Sequence, residues 1–179
     1  MWQNKPFRQI LLSGVLGSPK STIALAAMSL VSYYYASKDP LLAMLYILLL
    51  GGALFIGQFL SMGLAPMLVK KYEKKSLYNW SNLIGAIPYG GLFLVYMIAP
   101  NHDLTTVACL IICAVLFFGS GFSMGITNAL QSLMIADAVD YEEYCSGIRP
   151  DGVFFSGQTF IAKITAAIAT VINGIAYSV

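Results

Sequence analysis

The sequence predicts an all-α membrane protein with five transmembrane helices, and three observations lead there. Of the 179 residues, 58% are hydrophobic and only 10% are Asp, Glu, Lys or Arg, against about 25% charged in an ordinary soluble domain. Five apolar stretches are long enough to cross the hydrocarbon core, which takes about 20 helical residues. Eight of the ten basic residues lie before or between those stretches. A water-soluble chain this apolar lacks the polar groups to cover its own surface. Runs this long and continuous do not suit barrel strands, so helices are left as the structure that satisfies the backbone in lipid.

The stretches fall at about 9–36, 41–68, 78–99, 104–136 and 152–178. The head Met1–Arg8 precedes an apolar run that contains Lys20 and continues too far for a cleaved leader. Gly17-Ser18-Pro19-Lys20 predicts a kink or interruption in the first helix, a feature that carriers use at binding sites. Lys5, Arg8, Lys70, Lys71, Lys74, Lys75 and Arg149 share one side of the alternating topology, and the other side carries only Lys38. The positive-inside rule puts the first side, and with it the amino terminus, in the cytoplasm of a multi-pass inner-membrane protein. Both ends read as cut, and five is an odd number for a pseudo-symmetric carrier.

The net charge of +2 is small, and the basic residues form no nucleic-acid footprint. Cys109, Cys113 and Cys145 show no disulfide-framework spacing. Cys109 and Cys113, one turn apart on an apolar segment, read as packing residues, and His102 as a solvated loop residue. No cofactor or metal site is expected.

Polar residues inside the membrane are expensive and mark function. In the fifth stretch Gly152, Ser156, Thr159, Lys163, Thr170 and Gly174 fall on one narrow arc. Phe154, Ile161, Ile168, Ile172 and Ile175 lie opposite, as an expected lipid-facing wall. Small and hydroxyl residues also serve tight helix contacts, but Lys163 lies too deep to snorkel easily. In the fourth stretch Cys109, Cys113, Ser120, Ser123, Thr127 and Gln131 share a face, with Asn128 beside it and Ile111, Phe118, Phe122 and Leu133 opposite. Gln131 and Asn128 suit a polyol and equally suit a neighbouring helix. No Asp or Glu lies at mid-depth in any stretch, so Lys163 and Lys20 need counter-charges from outside this chain or from an anionic substrate. Either source implies a central polar cavity.

At the end of the fourth stretch Asp137, Asp140 and Glu143 recur every third residue, and Arg149 follows in the turn. Clustered acids serve acid–base chemistry, metal binding or interdomain ion pairs. No nucleophile, His or oxyanion motif accompanies them, so an enzyme is not expected.

The run from Ala136 through Asp137, Asp140, Tyr141, Glu143 and Tyr144, then Gly147-Ile148-Arg149, then Gly152 through Ser156 and Gln158 to Lys163, resembles the glycoside–pentoside–hexuronide:cation symporters of the major facilitator superfamily. The Lys70–Lys75 segment resembles that family's basic cytoplasmic loop. The resemblance implies helices seven to eleven of a twelve-helix carrier, with the amino-terminal half and the last helix missing. It implies cation-coupled uptake of a sugar, glycoside or hexuronide by alternating access, with Na⁺ or H⁺ as the coupling ion. Lys163, Gln131, Asn128, Thr159, Ser156 and Lys20 would line the substrate and cation cavity. Asp137, Asp140, Glu143 and Arg149 would form a cytoplasmic gate. Asn128 stands where the melibiose carrier has tryptophan, Glu142 where glycine is usual, and Cys145 where lysine is usual. The partners implied are the bilayer, the substrate and the missing half. The rival readings are a lipid-handling or interaction protein on the same scaffold and a dimerising half-transporter.

Overall fold

The computed structural model describes residues 5–16, 32–35, 40–99 and 104–178, and all regular structure among them is helical. The helices are α1 (Lys5–Leu16), α2 (Pro40–Lys71), α3 (Lys74–Ile98), α4 (Val107–Ser146) and α5 (Asp151–Ser178), with a single helical turn at 32–35. Four segments, Leu42–Lys71, Lys74–Ile98, Val107–Ser146 and Asp151–Ile175, are long and apolar enough to cross a membrane. Much of the first predicted span lies outside the described residues, as do the Gly17–Lys20 break and Lys20 itself.

Local chemistry sets the helix ends. Pro40 occupies the first position of α2, where a missing N–H costs nothing. Lys70 and Lys71 lie in its last turn, against the negative end of the helix dipole. Only Tyr72 and Glu73 separate α2 from α3, which makes a tight hairpin. α4 has 40 residues and is therefore about 60 Å long, twice the ~30 Å hydrocarbon core. The predicted span ends at 136, but the helix continues through the acidic stretch to Ser146. Hydropathy detects the lipid-crossing part of a helix, whereas α4 after residue 136 is charged on one side and packs Ala138 and Val139 into a core on the other. α4 stops at Gly147, whose φ of 69° is a left-handed cap, with its N–H donating to the Glu143 carbonyl at 2.8 Å.

The chain divides into two compact units, Met28–Leu130 and the pair of segments Met1–Ala27 with Gln131–Val179. In the first unit, Tyr35, Ala43, Leu50, Leu110, Cys113 and Phe117 form the core. α2 and α4 cross almost backbone to backbone. A Cβ built on Gly57 would overlap the Phe118 carbonyl oxygen, one on Gly121 the Leu54 carbonyl oxygen, and one on Gly125 the Gln58 carbonyl and the Ser61 hydroxyl. α3 and α4 are joined by a reciprocal pair, Ser123 Oγ donating to the Ser81 carbonyl at 2.6 Å and Ser81 Oγ to the Ser123 carbonyl at 3.1 Å. In the second unit, α1, the end of α4 and the start of α5 enclose Phe7, Ile10, Ile135, Ala138, Val139 and Phe154. The rings of Phe7 and Phe154 lie 4.2 Å apart, centroid to centroid.

Candidate functional site

The second unit carries a charged corner. Ala138 and Val139 turn into its core, which leaves Asp137 and Asp140 exposed on the other side of α4. Arg149, in the turn before α5, reaches three carboxylates. Its Nη1 lies 3.2 Å from Asp140 Oδ1 and 2.8 Å from Glu143 Oε2, and its Nε donates to Asp151 Oδ2 at 3.0 Å. Hydrogen bonds to Asp151 and then Glu143 push the guanidinium pKa further up, so Arg149 stays charged at every working pH. Of the four expected gate residues, Asp140, Glu143 and Arg149 are thus brought together. Asp151, at the first position of α5, is a partner that the sequence reading did not single out. Its signal was its place in the first turn of a helix, where a carboxylate is favoured.

On α5, Lys163, Ser156 and Thr159 are exposed, as are Thr170, Gly152 and Gly174. The packed face lies opposite: Phe154 and Ala169 are buried, and Ile161 and Thr165 are half-buried. Part of the expected lipid-facing wall is therefore corrected. Phe154 packs on Phe7, and Ile161 approaches Gly14 of α1, while Ile168, Ile172 and Ile175 are exposed. An apolar face serves lipid and a neighbouring helix equally well, and hydropathy does not distinguish them. The hydroxyls of the polar arc are satisfied within α5, Ser156 on Val153, Thr159 on Phe155 and Thr170 on Ala166, each at 2.9 Å. Lys163 lies about 18 Å along the helix from Asp151 and makes no ion pair among the described residues.

Within the first unit, the polar stripe of α4 turns inward, and much of it is spent on packing. Cys113, Ser120, Ser123 and Thr127 are buried. Ser123 binds Ser81, and Thr127 Oγ1 donates to the Ser123 carbonyl at 2.8 Å and lies 3.4 Å from Ser81 Oγ. Asn128 is exposed. Gln131 belongs to the second unit, half-buried, and an ideal Cβ on Gly14 would sit 3.3 Å from its amide nitrogen. Ser81 and the glycines at 57, 121 and 125 are structural residues that the sequence reading passed over. The Gly121-x-x-x-Gly125 spacing inside an apolar run was the available signal. Among the described residues no cluster of His, Cys, Asp or Glu is placed to hold a metal ion.

Comparison with known proteins agrees with this architecture. The profile of a family described as MFS/sugar transport protein matches residues 1–178. Among curated relatives, a candidate 2,3-dihydroxypropane-1-sulfonate exporter of Escherichia coli (strain K12) is 31% identical over 76% of this chain and 27% of its own. A candidate sulfoquinovose importer of the same organism is 32% identical over 65% of this chain and 24% of its own. Its glucuronide carrier protein homolog is 28% identical over 93% of this chain and 33% of its own. The chain thus spans about a quarter of the length of the first two. No solved structure gives a significant match.

Proposed function

The chain belongs to the MFS/sugar transport protein family, and on that premise we propose that it forms part of a cation-coupled symporter for a sugar, glycoside or hexuronide. In this reading the carrier works by alternating access in the inner membrane, with the amino terminus of this chain cytoplasmic. Its helices are helices seven to eleven, and the rest of the carrier lies beyond this sequence. One observation carries the proposal. The polar arc of α5, with Lys163 at its middle, lies opposite the face that packs on α1. An ammonium at that depth is tolerable only against water, a carboxylate or an anionic solute. A central cavity between two halves supplies all three.

On the family resemblance Lys163, Thr159, Ser156, Gln131, Asn128 and Lys20 are assigned to the cavity of the complete carrier, Lys20 lying outside the described residues, and Lys163 competes with the coupling cation for carboxylates of the other half. Asp137, Asp140, Glu143 and Arg149 form the gate, since an ion-pair cluster at a helix end can be exchanged between two states. The names of the relatives favour a refinement, because a sulfonate, sulfoquinovose and a glucuronide each carry an acid group. A sugar bearing an acid is the solute that an unpaired ammonium suits best. A lipid-handling role would call for an apolar arc where α5 presents Lys163 and three hydroxyls.

The test is uptake by vesicles holding the complete protein, with radiolabelled glucuronide or sulfoquinovose and an imposed Na⁺ or H⁺ gradient. Accumulation above the external concentration, abolished when the cation gradient is collapsed, is the expected result. Uptake that ignores both gradients refutes the symport reading.

A further inference from the structure

On the outer surface of the Met28–Leu130 unit, α2 and α4 enclose a furrow of about 600 Å³. Leu48, Leu49 and Ile56 form one rim, Ile111, Val115 and Phe118 the other, and these six side chains are all exposed. Small, half-buried residues lie between the rims, Gly52 and Ala53 on α2 and Ala114 on α4. No lining side chain donates or accepts a hydrogen bond, so the furrow offers nothing to water, a sugar or a lipid headgroup.

The shape is a wedge. At Gly57 and Gly121 the two backbones touch, whereas a Cβ on Gly52, little more than a turn earlier, would meet nothing within 4 Å. The furrow therefore opens toward the start of both helices and closes toward their middles. Its open end lies beside the half-buried Tyr34 and Tyr46. The Leu104 N–H donates to Tyr34 Oη at 3.0 Å, and the tilted ring of Tyr46 lies 4.8 Å from that of the core residue Tyr35. Tyrosines with an apolar body and a polar tip gather at the membrane–water boundary. From there the furrow runs along α4 from Val107 to Phe118, about 16 Å. That is the thickness of one leaflet's hydrocarbon, half of the ~30 Å core.

We propose that this furrow seats one acyl chain of a lipid in the leaflet at the tyrosine end, its terminal methyl directed toward the Gly57–Gly121 crossing. A flexible chain entering from the boundary fits a slot that narrows inward. A helix about 10 Å across would ride on the rims and leave the Gly52 floor empty. The seat is independent of the transport reading, because it rests on α2 and α4 alone.

The experiment uses the complete protein with its native tryptophans replaced by Phe and a single reporter introduced by Leu49→Trp at the exposed rim. It is reconstituted in phosphatidylcholine vesicles with a rising fraction of phosphatidylcholine brominated on an acyl chain. One seated chain makes fluorescence fall in proportion to the brominated fraction, because one occupant is either brominated or not. Adding Gly52→Leu, which fills the open floor, should remove more than half of that quenching. Three results overturn the seat: no quenching, which means that protein covers the furrow; quenching that depends on protein density, which means a second copy; or quenching indifferent to Gly52→Leu, which means ordinary boundary lipid.

Discussion

The close crossing of α2 and α4 is the contact most exposed to a single methyl group. At Gly121 an added Cβ meets the Leu54 carbonyl carbon at 2.8 Å and its Cα at 3.0 Å, besides overlapping the carbonyl oxygen. At Gly125 it meets the Gln58 carbonyl carbon at 3.1 Å and overlaps both that carbonyl oxygen and the Ser61 hydroxyl. These neighbours are mainly helical backbone, which cannot swing aside, so the helices must separate. Overpacking of this kind costs about 1–3 kcal/mol, and backbone obstruction puts each of Gly121→Ala and Gly125→Ala at the upper end. The double variant should cost less than the sum, because the separation that admits the first methyl also makes room for the second. Gly63→Ala and Gly90→Ala are the controls, since both positions face open space. There the substitution should be neutral or gain up to about 1 kcal/mol from the stiffer helix. Reversible unfolding in bicelles compares the five variants with wild type. Equal effects at Gly121 and Gly63 would refute the backbone contact.

Two further outcomes follow from the polar residues. Ser123→Ala removes the 2.6 Å bond to the Ser81 carbonyl and should cost about 0.6 kcal/mol, at most about 1.7, by the scale of intramembrane hydrogen bonds; Ser81→Ala removes the separate bond to the Ser123 carbonyl, so the two losses should roughly add in the same bicelle assay, and the absence of any cost in both variants would count against the reciprocal pair. Asp140→Asn leaves Arg149 its shorter contacts with Glu143 and Asp151, so in the complete protein it should slow net uptake while substrate affinity, read by isothermal titration, stays within about twofold, because a gate acts on state populations; equal losses of affinity and rate would remove it from the gate.

Much of the architecture was legible because lipid imposes one requirement on every residue that faces it. α2, α3 and α5 carry apolar runs bounded by basic or turn residues, and the helices fall on those runs. The end of α4 was not legible from hydropathy, because the charged turns from Asp137 to Ser146 are anchored by Ala138 and Val139 in the core with Phe7 and Phe154 and stopped by Gly147. Direction was harder than existence. Phe154 and Ile168 lie on the same side of α5 by helical periodicity, yet Phe154 is buried and Ile168 exposed, while Ala169, the next residue, is buried. The stripe from Ser120 to Thr127 was legible as one face of the helix, and that face is buried. Its periodicity did not reveal whether Ser123 meets a solute or Ser81, since that depends on what α3 brings opposite. Of the acids that Arg149 reaches, Asp140 and Glu143 were legible from their spacing, whereas Asp151, two residues on, was not singled out.

The central claim is that Lys163 couples a cation to sugar movement. Vesicles containing the complete protein, wild type or Lys163→Ala, are loaded with unlabelled sugar for exchange, or left empty under a cation gradient for accumulation. The account predicts that Lys163→Ala still exchanges a neutral glycoside but fails to accumulate it above the external concentration. Lys163→Arg should recover only part of the accumulation, because a planar fork does not replace a compact ammonium. Accumulation at the wild-type level by Lys163→Ala would contradict the account and leave Lys163 a structural residue.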